Sequence, residues 1–186
     1  RDFVELPSQI MENWCFEPEV MKTYALHYET GEVIPNDLIE KIQKTGTFNQ
    51  GFVMTELLLA SLLDMDYHML KDTANFDVRE FEKKSLERIG MIPEIIVRYR
   101  STYFNHVFGG GYAAGYYSYT WAEVLDADAY QAFVETGDIY NKEVATAFRK
   151  NILEKGGSDD PMKLYRTFRG GDPNPEALLR KRGFIQ

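Results

Sequence analysis

The sequence predicts an all-α fold, and two observations lead to this prediction. Apolar residues recur at steps of three and four along most segments, as they do on the buried face of an amphipathic helix. No segment shows the two-residue alternation of a half-buried strand, and no internal repeat or low-complexity tract is present. A chain of 186 residues is long enough to bury about 70% of its unfolded surface. We therefore expect a single all-helical domain over residues 1–186.

The first half of the chain is expected to contain helices over residues 3–14, 17–28, 38–44, 47–69 and 77–88. Asn36 or Asp37 precedes the third helix and is a candidate to cap it. The fourth helix is apolar nearly all round between positions 57 and 63, so we expect it to be central. Asp77 begins the fifth helix, and Gly90 is placed to end it.

The second half of the chain contains a glycine interruption. Residues 94–107 are expected to be extended or helical, and the three glycines at positions 109–111 then break the chain. Beyond the break, the predicted helices cover residues 112–135, 141–154, 161–168 and 176–182. Gly156 and Gly157 are expected to end the second of these helices.

The net charge and the cysteine content restrict which partners and which compartment the sequence favours. The net charge of −8 argues against nucleic acid or an anionic membrane as the main partner. The longest apolar run, positions 57–63, is far too short to cross a bilayer. Cys15 is the single cysteine, so no intrachain disulfide can form, and a reducing compartment is favoured. We expect a cytoplasmic protein with Cys15 buried.

The stretch FGGGYAAGYYSYTW, residues 108–121, contains four glycines and four tyrosines. On a helix, Tyr112, Tyr116 and Tyr119 would fall within about 60° of one another. A row of phenols can donate hydrogen bonds to an oxygen that gains charge in a transition state. If the glycine turn folds back, His106 joins the same surface. The alternative for the tyrosines is ordinary core packing, which is the more frequent role of such an aromatic stripe. The three glycines could also form a phosphate-binding loop, but this is disfavoured because no Gly-Lys-Ser/Thr ending follows them.

Three stretches have a recognisable pattern: DFVELPSQIMENW from residue 2, YRSTYFNHVFGGGYAAGYYSYTWAEVLDADAYQAF from residue 99, and GGSDDPMKLYRTFRGGDPNPEALLRKRGF from residue 156. Together they resemble the C-terminal third of the M3 zinc metallopeptidases. The triple glycine before the first tyrosine is similar to the dipeptidyl carboxypeptidase branch of the family. This resemblance implies an all-α, zincin-type, neurolysin-like fold and a substrate class of short peptides.

The resemblance also implies roles for individual residues. It implies that Glu5 is a zinc ligand, that Tyr112 and Tyr119 are catalytic, and that His106 binds substrate. Tyr116 belongs to the same face and is expected to bind substrate as well. Gly110 and Gly111 are expected to bind substrate for a different reason, because residues without a side chain let a substrate backbone approach closely. The family holds Zn²⁺ with an additional H-E-x-x-H motif, whereas the histidines of this chain stand at positions 27, 68 and 106. Two zinc ligands and the general base are therefore missing. Since the sequence begins with RDFVE and not with methionine, we expect a C-terminal fragment that is inactive without the N-terminal part of the same enzyme.

Three functions remain open at this point. The first is a peptidyl-dipeptidase that removes C-terminal dipeptides, and the second is an endo-oligopeptidase of the same family. The third is a helical module that binds peptides through its aromatic surface without cutting them. Outside the site, we expect Glu56 to pair with an arginine and His68 to be a partly buried, satisfied histidine. We expect Arg98 and Arg100 to form ion pairs with the excess of acids; the alternative is a bidentate contact with the C-terminal carboxylate of a substrate.

Overall fold

The computed structural model describes residues 1–186 and confirms the all-α fold. The α-helices are α1 (Leu6–Cys15), α2 (Pro18–Tyr24), α3 (Asn36–Thr45), α4 (Gln50–His68), α5 (Val78–Ile89), α6 (Asn105–Phe108), α7 (Ser118–Val134), α8 (Lys142–Phe148), α9 (Pro161–Arg169) and α10 (Glu176–Lys181). There is no β-strand, and one isolated antiparallel bridge joins Leu26 to Val33. No helix has both the length and the apolar character that a membrane span requires.

The chain forms two compact units. The first unit comprises residues 1–2 and 49–121, and the second comprises residues 3–48 and 122–186. The expectation of one domain over residues 1–186 stays a prediction.

Helix α4 is the centre of the first unit, as its apolar composition predicts. Leu59, Ala60 and Leu63 are almost completely buried. They belong to a core that also includes Tyr67, Leu86, Ile95, Val97, Phe104, Val107 and Tyr116. The ends of the neighbouring helix α5 are set by its own residues. At the N-terminal end, the Asp77 carboxylate caps the helix by accepting the amides of Arg79 and Glu80, each at 2.9 Å. Gly90 ends α5 with φ of 82°, a left-handed conformation that glycine adopts without strain.

The core of the second unit lies between α1 and α7. Leu6 and Ile10 of α1 are completely buried, as is Leu125 of α7. The indole of Trp14 donates to the Ile139 carbonyl at 2.9 Å. Its ring also makes edge contacts with two aromatic rings of α7, at centroid distances of 4.7 and 5.0 Å. Aromatic pairs of this geometry add stability beyond the area they bury.

Helix α7 of the second unit also carries buried acids that are paired with cations. Asp126 accepts from Asn13 at 3.1 Å and from Lys181 at 3.3 Å. Burial raises the pKa of Asp126, and the Lys181 ammonium and the Asn13 amide oppose this effect. Glu123, one turn away, is paired with Arg182. The basic end of α10 therefore stabilises α7 in addition to suiting its own helix dipole.

Several local predictions differ from the structure. Helix α3 begins at Asn36, with Pro35 at its N-cap and no side-chain cap, so the capping role predicted for Asn36 or Asp37 is wrong. Residues 94–107 are mostly irregular, with a 3₁₀ turn at Ser101–Tyr103 before α6. Cys15, predicted to be buried, is exposed because it lies in the last turn of α1. A π-helical turn, Arg149–Leu153, continues α8.

Candidate active-site surface

The first unit gathers five aromatic side chains into one group, which we call the tyrosine cluster: Tyr99, His106, Tyr112, Tyr116 and Tyr119. The His106 ring lies 6.2, 5.6 and 6.0 Å from the ring centroids of Tyr112, Tyr116 and Tyr119. Tyr112 and Tyr119 are stacked at 5.1 Å with an interplanar angle of 23°. Tyr99 approaches His106 from the remaining side, at 4.9 Å. The structure therefore brings together His106 and the three tyrosines that the sequence singles out.

A tight glycine turn brings His106 close to Tyr112. The amides of Gly109 and Gly110 both donate to the Asn105 carbonyl, at 2.8 and 2.6 Å, and the Tyr112 amide donates to the His106 carbonyl at 2.9 Å. A Cβ atom at Gly110 would lie 2.9 Å from the His106 Cα atom, so the backbone can fold back only because position 110 has no side chain. The turn thus folds back as anticipated, and the substrate contacts predicted for Gly110 and Gly111 stay a prediction.

Residues 113–117 form turns, Tyr112 precedes them without regular structure, and α7 begins only at Ser118. The prediction of a continuous helix from Tyr112 is therefore wrong. Asp64 of α4 binds this turn, because its two carboxylate oxygens accept the amides of Ala114 at 3.0 Å and Tyr116 at 2.9 Å. Ala114 adopts a left-handed conformation, with φ of 50°. The tyrosine rings meet through this turn and not through a common helical face.

Asp64 is the residue of this region that sequence reasoning missed. It is completely buried, and its carboxylate also lies 2.8 Å from Nδ1 of His68, one helical turn away. The sequence does contain an indication of its role, because a charged residue directly follows the apolar stretch of α4. Charged residues are rarely buried without specific partners. The pairing satisfies Nδ1 of His68, as predicted, whereas the residue itself, expected to be partly buried, is exposed at the end of α4.

Tyr116 is the buried member of the tyrosine cluster. Only 3% of its surface is exposed. Burial raises the pKa of its hydroxyl, as does the neighbouring Tyr99, while the Arg98 guanidinium acts in the opposite direction. Arg98 also lies 3.5 Å from the Glu56 carboxylate, which confirms the predicted pairing of Glu56 with an arginine. Tyr116 therefore remains a neutral phenol, and it is the member of the cluster that packs into the core.

Tyr112 and Tyr119 are partly exposed, as are His106 and Tyr99. The guanidinium of Arg1 lies over the Tyr112 ring, 4.8 Å from its centroid, in a cation–π contact. A row of phenols beside an imidazole can offer hydrogen bonds to a carbonyl oxygen on a bound molecule. The catalytic roles of Tyr112 and Tyr119 and the substrate-binding roles of His106 and Tyr116 stay predictions.

Glu5 belongs to the second unit, at the start of α1. It is half-buried, and the Ser8 hydroxyl donates to its carbonyl and to its carboxylate, both at 2.9 Å. No group of three or more His, Cys, Asp or Glu side chains has the arrangement of a metal site. His68 is engaged by Asp64, and His27 accepts backbone amides of its own loop. The residues of this chain therefore do not form a complete zinc site by themselves, and the role of Glu5 as a ligand stays a prediction.

A cavity of about 580 Å³ in the first unit lies between α5 and residues 91–102. It contains none of the predicted site residues. Its buried carboxylate, Glu82, accepts the amide and hydroxyl of Ser101 at 2.8 and 2.6 Å and pairs with Arg100 at 2.7 Å. The polar groups of the cavity are thus bound to one another and stabilise the local fold. Arg100 forms an ion pair, as predicted.

Comparison with known proteins places this arrangement in a family. Residues 1–184 match the model of peptidase family M3. The chain is 48% identical over 185 residues to the dipeptidyl carboxypeptidases of Salmonella typhimurium and Escherichia coli, covering 98% of this chain and 27% of each relative. It is 41% identical over 190 residues to oligopeptidase A of Salmonella typhimurium, again covering 27% of that protein. The chain spans about a quarter of the length of the curated relatives it matches. Because the family model matches nearly every residue, the chain belongs to peptidase family M3.

Proposed function

We propose that this chain is the C-terminal part of a zinc metallopeptidase that releases dipeptides from the C-terminus of short peptides. The observation that carries the proposal is the packing of His106 against the partly exposed Tyr112 and Tyr119 in a member of peptidase family M3. The 48% identity to two dipeptidyl carboxypeptidases supports the choice of reaction.

The proposed chemistry of this chain is hydrogen-bond donation. Tyr112 and Tyr119 donate to the carbonyl oxygen of the scissile bond as that oxygen gains negative charge, since a phenol is a donor near neutral pH. His106 orients the same substrate, and Tyr116 supports the rings from beneath. Gly110 and Gly111 leave room for the substrate backbone, because a residue without a side chain allows close approach.

Zinc belongs to the proposal for the complete enzyme. Glu5 is proposed as one ligand, and the two histidines and the general base would come from residues outside the 186 described here. A catalytic zinc requires three protein ligands and one open position, so one carboxylate is insufficient. The 186-residue chain alone is therefore expected to cleave no peptide, and a cytoplasmic location remains a prediction.

The outer face of α4 supports the proposal of a longer protein. Leu58 and Leu62 of this helix and Met69 at its C-cap lie along one side, and their exposed fractions are 43%, 44% and 63%. Adjacent exposed apolar side chains commonly mark an interaction surface. We propose that the N-terminal part of the same enzyme covers this side.

The decisive experiment uses the complete protein that contains this chain. Tyr112→Phe and Tyr119→Phe should each lower kcat for a blocked tripeptide by about 10²–10³-fold, the usual cost of one lost oxyanion donor. Tyr28→Phe is the matched control, since Tyr28 is 88% exposed and lies in the second unit. If both cluster variants retain the activity of the control, the phenols do not take part in the chemistry.

An endo-oligopeptidase is the second candidate, because the chain is also 41% identical to an oligopeptidase A. Product lengths from one longer peptide separate the two activities. Successive dipeptides from the C-terminus support the proposal, whereas a single internal cut supports the second candidate. Tight peptide binding by the complete protein without any cleavage would instead support a non-catalytic binding module.

A further inference from the structure

We propose that Asp64 is a positioning residue that sets the geometry of the tyrosine cluster through the backbone of residues 114–116. This inference rests on the proposed function for its kinetic consequence. Its structural consequence, the stacking of Tyr112 on Tyr119, can be measured whether or not the protein cleaves peptides.

The first argument is the placement of the carboxylate. Asp64 lies on α4 and is completely buried, and its two oxygens accept the amides of Ala114 and Tyr116 at 3.0 and 2.9 Å. A carboxylate that accepts backbone amides makes charge-assisted hydrogen bonds, which are about twice as strong as neutral ones. The side chain therefore holds both ends of a three-residue turn on a rigid helix.

The second argument is the conformation that the turn adopts. Ala114 has φ of 50°, in the left-handed region that a non-glycine residue rarely enters. Without an acceptor for its amides, residues 112–117 would be free to continue α7 toward its N-terminus, as their sequence predicts. The Asp64 carboxylate stabilises the strained alternative, and strain of this kind persists only where the surroundings determine it.

The third argument concerns what the turn accomplishes. It allows Tyr112 to stack on Tyr119 at 5.1 Å, and it directs Tyr116 into the core, where its ring makes an edge contact with Phe104 at 5.0 Å. Asp64 reaches these rings only through the backbone, so it is not itself a catalytic residue. Its substitution should therefore change kcat more than KM.

The test uses Asp64→Asn in the complete protein. The amide can accept only through one oxygen, so one of the two backbone amides loses its partner. We expect kcat to fall by about 10²-fold, as for other small misplacements of reacting groups, with KM changed by less than about twofold. The near-ultraviolet circular dichroism of the tyrosines should change with it. Asp66→Asn is the matched control, because Asp66 is on the same helix but binds Ser85 and Arg88. It should leave both signals unchanged.

A second substitution distinguishes positioning from a general loss of stability. Ala114→Gly removes the strain of the left-handed conformation, so the double variant Asp64→Asn/Ala114→Gly should regain about tenfold in kcat. Ala114→Val leaves Asp64 intact but disfavours the turn, and it should lower kcat as Asp64→Asn does. This variant keeps the test informative if Asp64→Asn does not fold.

The outcomes separate the two proposals. Unchanged kcat and unchanged circular dichroism in Asp64→Asn and Ala114→Val would overturn the positioning role. The positioning role would also be overturned if Asp64→Asn lowered kcat, left the circular dichroism of the tyrosines unaltered, and was not rescued by Ala114→Gly. If the wild-type protein cleaves no peptide while Asp64→Asn still alters the tyrosine signal, the proposed function fails and the structural role of Asp64 stands.

Discussion

Substitution of Gly110 by alanine should disrupt the turn that carries His106. The new Cβ atom would lie 2.9 Å from the His106 Cα atom and 3.1 Å from the carbonyl oxygens of Asn105 and His106. These neighbours are all backbone atoms, so no flexible side chain can move aside. The turn must open, and the hydrogen bonds from Gly110 to Asn105 and from Tyr112 to His106 must lengthen.

The magnitude follows from these contacts. Overpacking against fixed atoms costs about 1–3 kcal/mol, and a weakened backbone hydrogen bond adds about 1 kcal/mol. The free energy of unfolding should therefore fall by about 2–4 kcal/mol. For a chain of 186 residues, this corresponds to a decrease in Tm of about 6–12 °C.

Thermal unfolding followed by circular dichroism measures this effect. Gly51→Ala in α4 is the matched control, because its added Cβ meets no atom within 4 Å and its φ is negative. The control should raise Tm by about 2–3 °C, since alanine is the better helix former. A Gly110→Ala variant that unfolds at or above the wild-type temperature would refute the reasoning from the close approach.

Two further predictions concern buried polar groups. Tyr165→Phe should lower the free energy of unfolding by about 1–3 kcal/mol, because the buried hydroxyl donates to Asp128 at 2.7 Å; equal denaturation midpoints for variant and wild type would contradict this. Burial opposes ionisation of Glu82, but hydrogen bonds from Ser101 and the Arg100 guanidinium outweigh it and hold the pKa below its ordinary value of 4.5. The ionised form is thus favoured in the folded state, so its contribution to stability is complete above pH 4.5 and is lost as the pH falls through the lower, folded pKa. Glu82→Gln should flatten this acid dependence in denaturant titrations, and an unchanged slope would argue against it.

The sequence predicts those parts of the fold whose causes are local. Helix α5 is an example, because its capping aspartate Asp77 and its terminal Gly90 act within a few residues of the helix ends. The start of α7 is the opposite case. Residues 112–117 have a helical pattern, but Asp64 binds their amides from a distant part of the chain, and no local pattern reports that contact.

The candidate site divides in the same way. The spacing of Tyr112, Tyr116 and Tyr119 correctly indicated that these rings belong together with His106, although the expected helical face was wrong. A grouping of aromatic side chains is robust, because several backbone paths can bring the same rings together. The role of Glu5 as a zinc ligand depends on the other ligands and on their distances from its carboxylate. The spacing of residues in the sequence does not give these distances, so this role stays a prediction.

The hydrogen bonds of Asp64 also bear on the order in which the chain folds. They connect positions that are 50 and 52 residues apart, so a long loop must close before either bond can form. We therefore expect the bend at Ala114 to form late in folding, after the helix bearing Asp64 has docked. A nascent or partly collapsed chain would therefore lack the assembled phenols, and this surface would mature only when the first unit is complete.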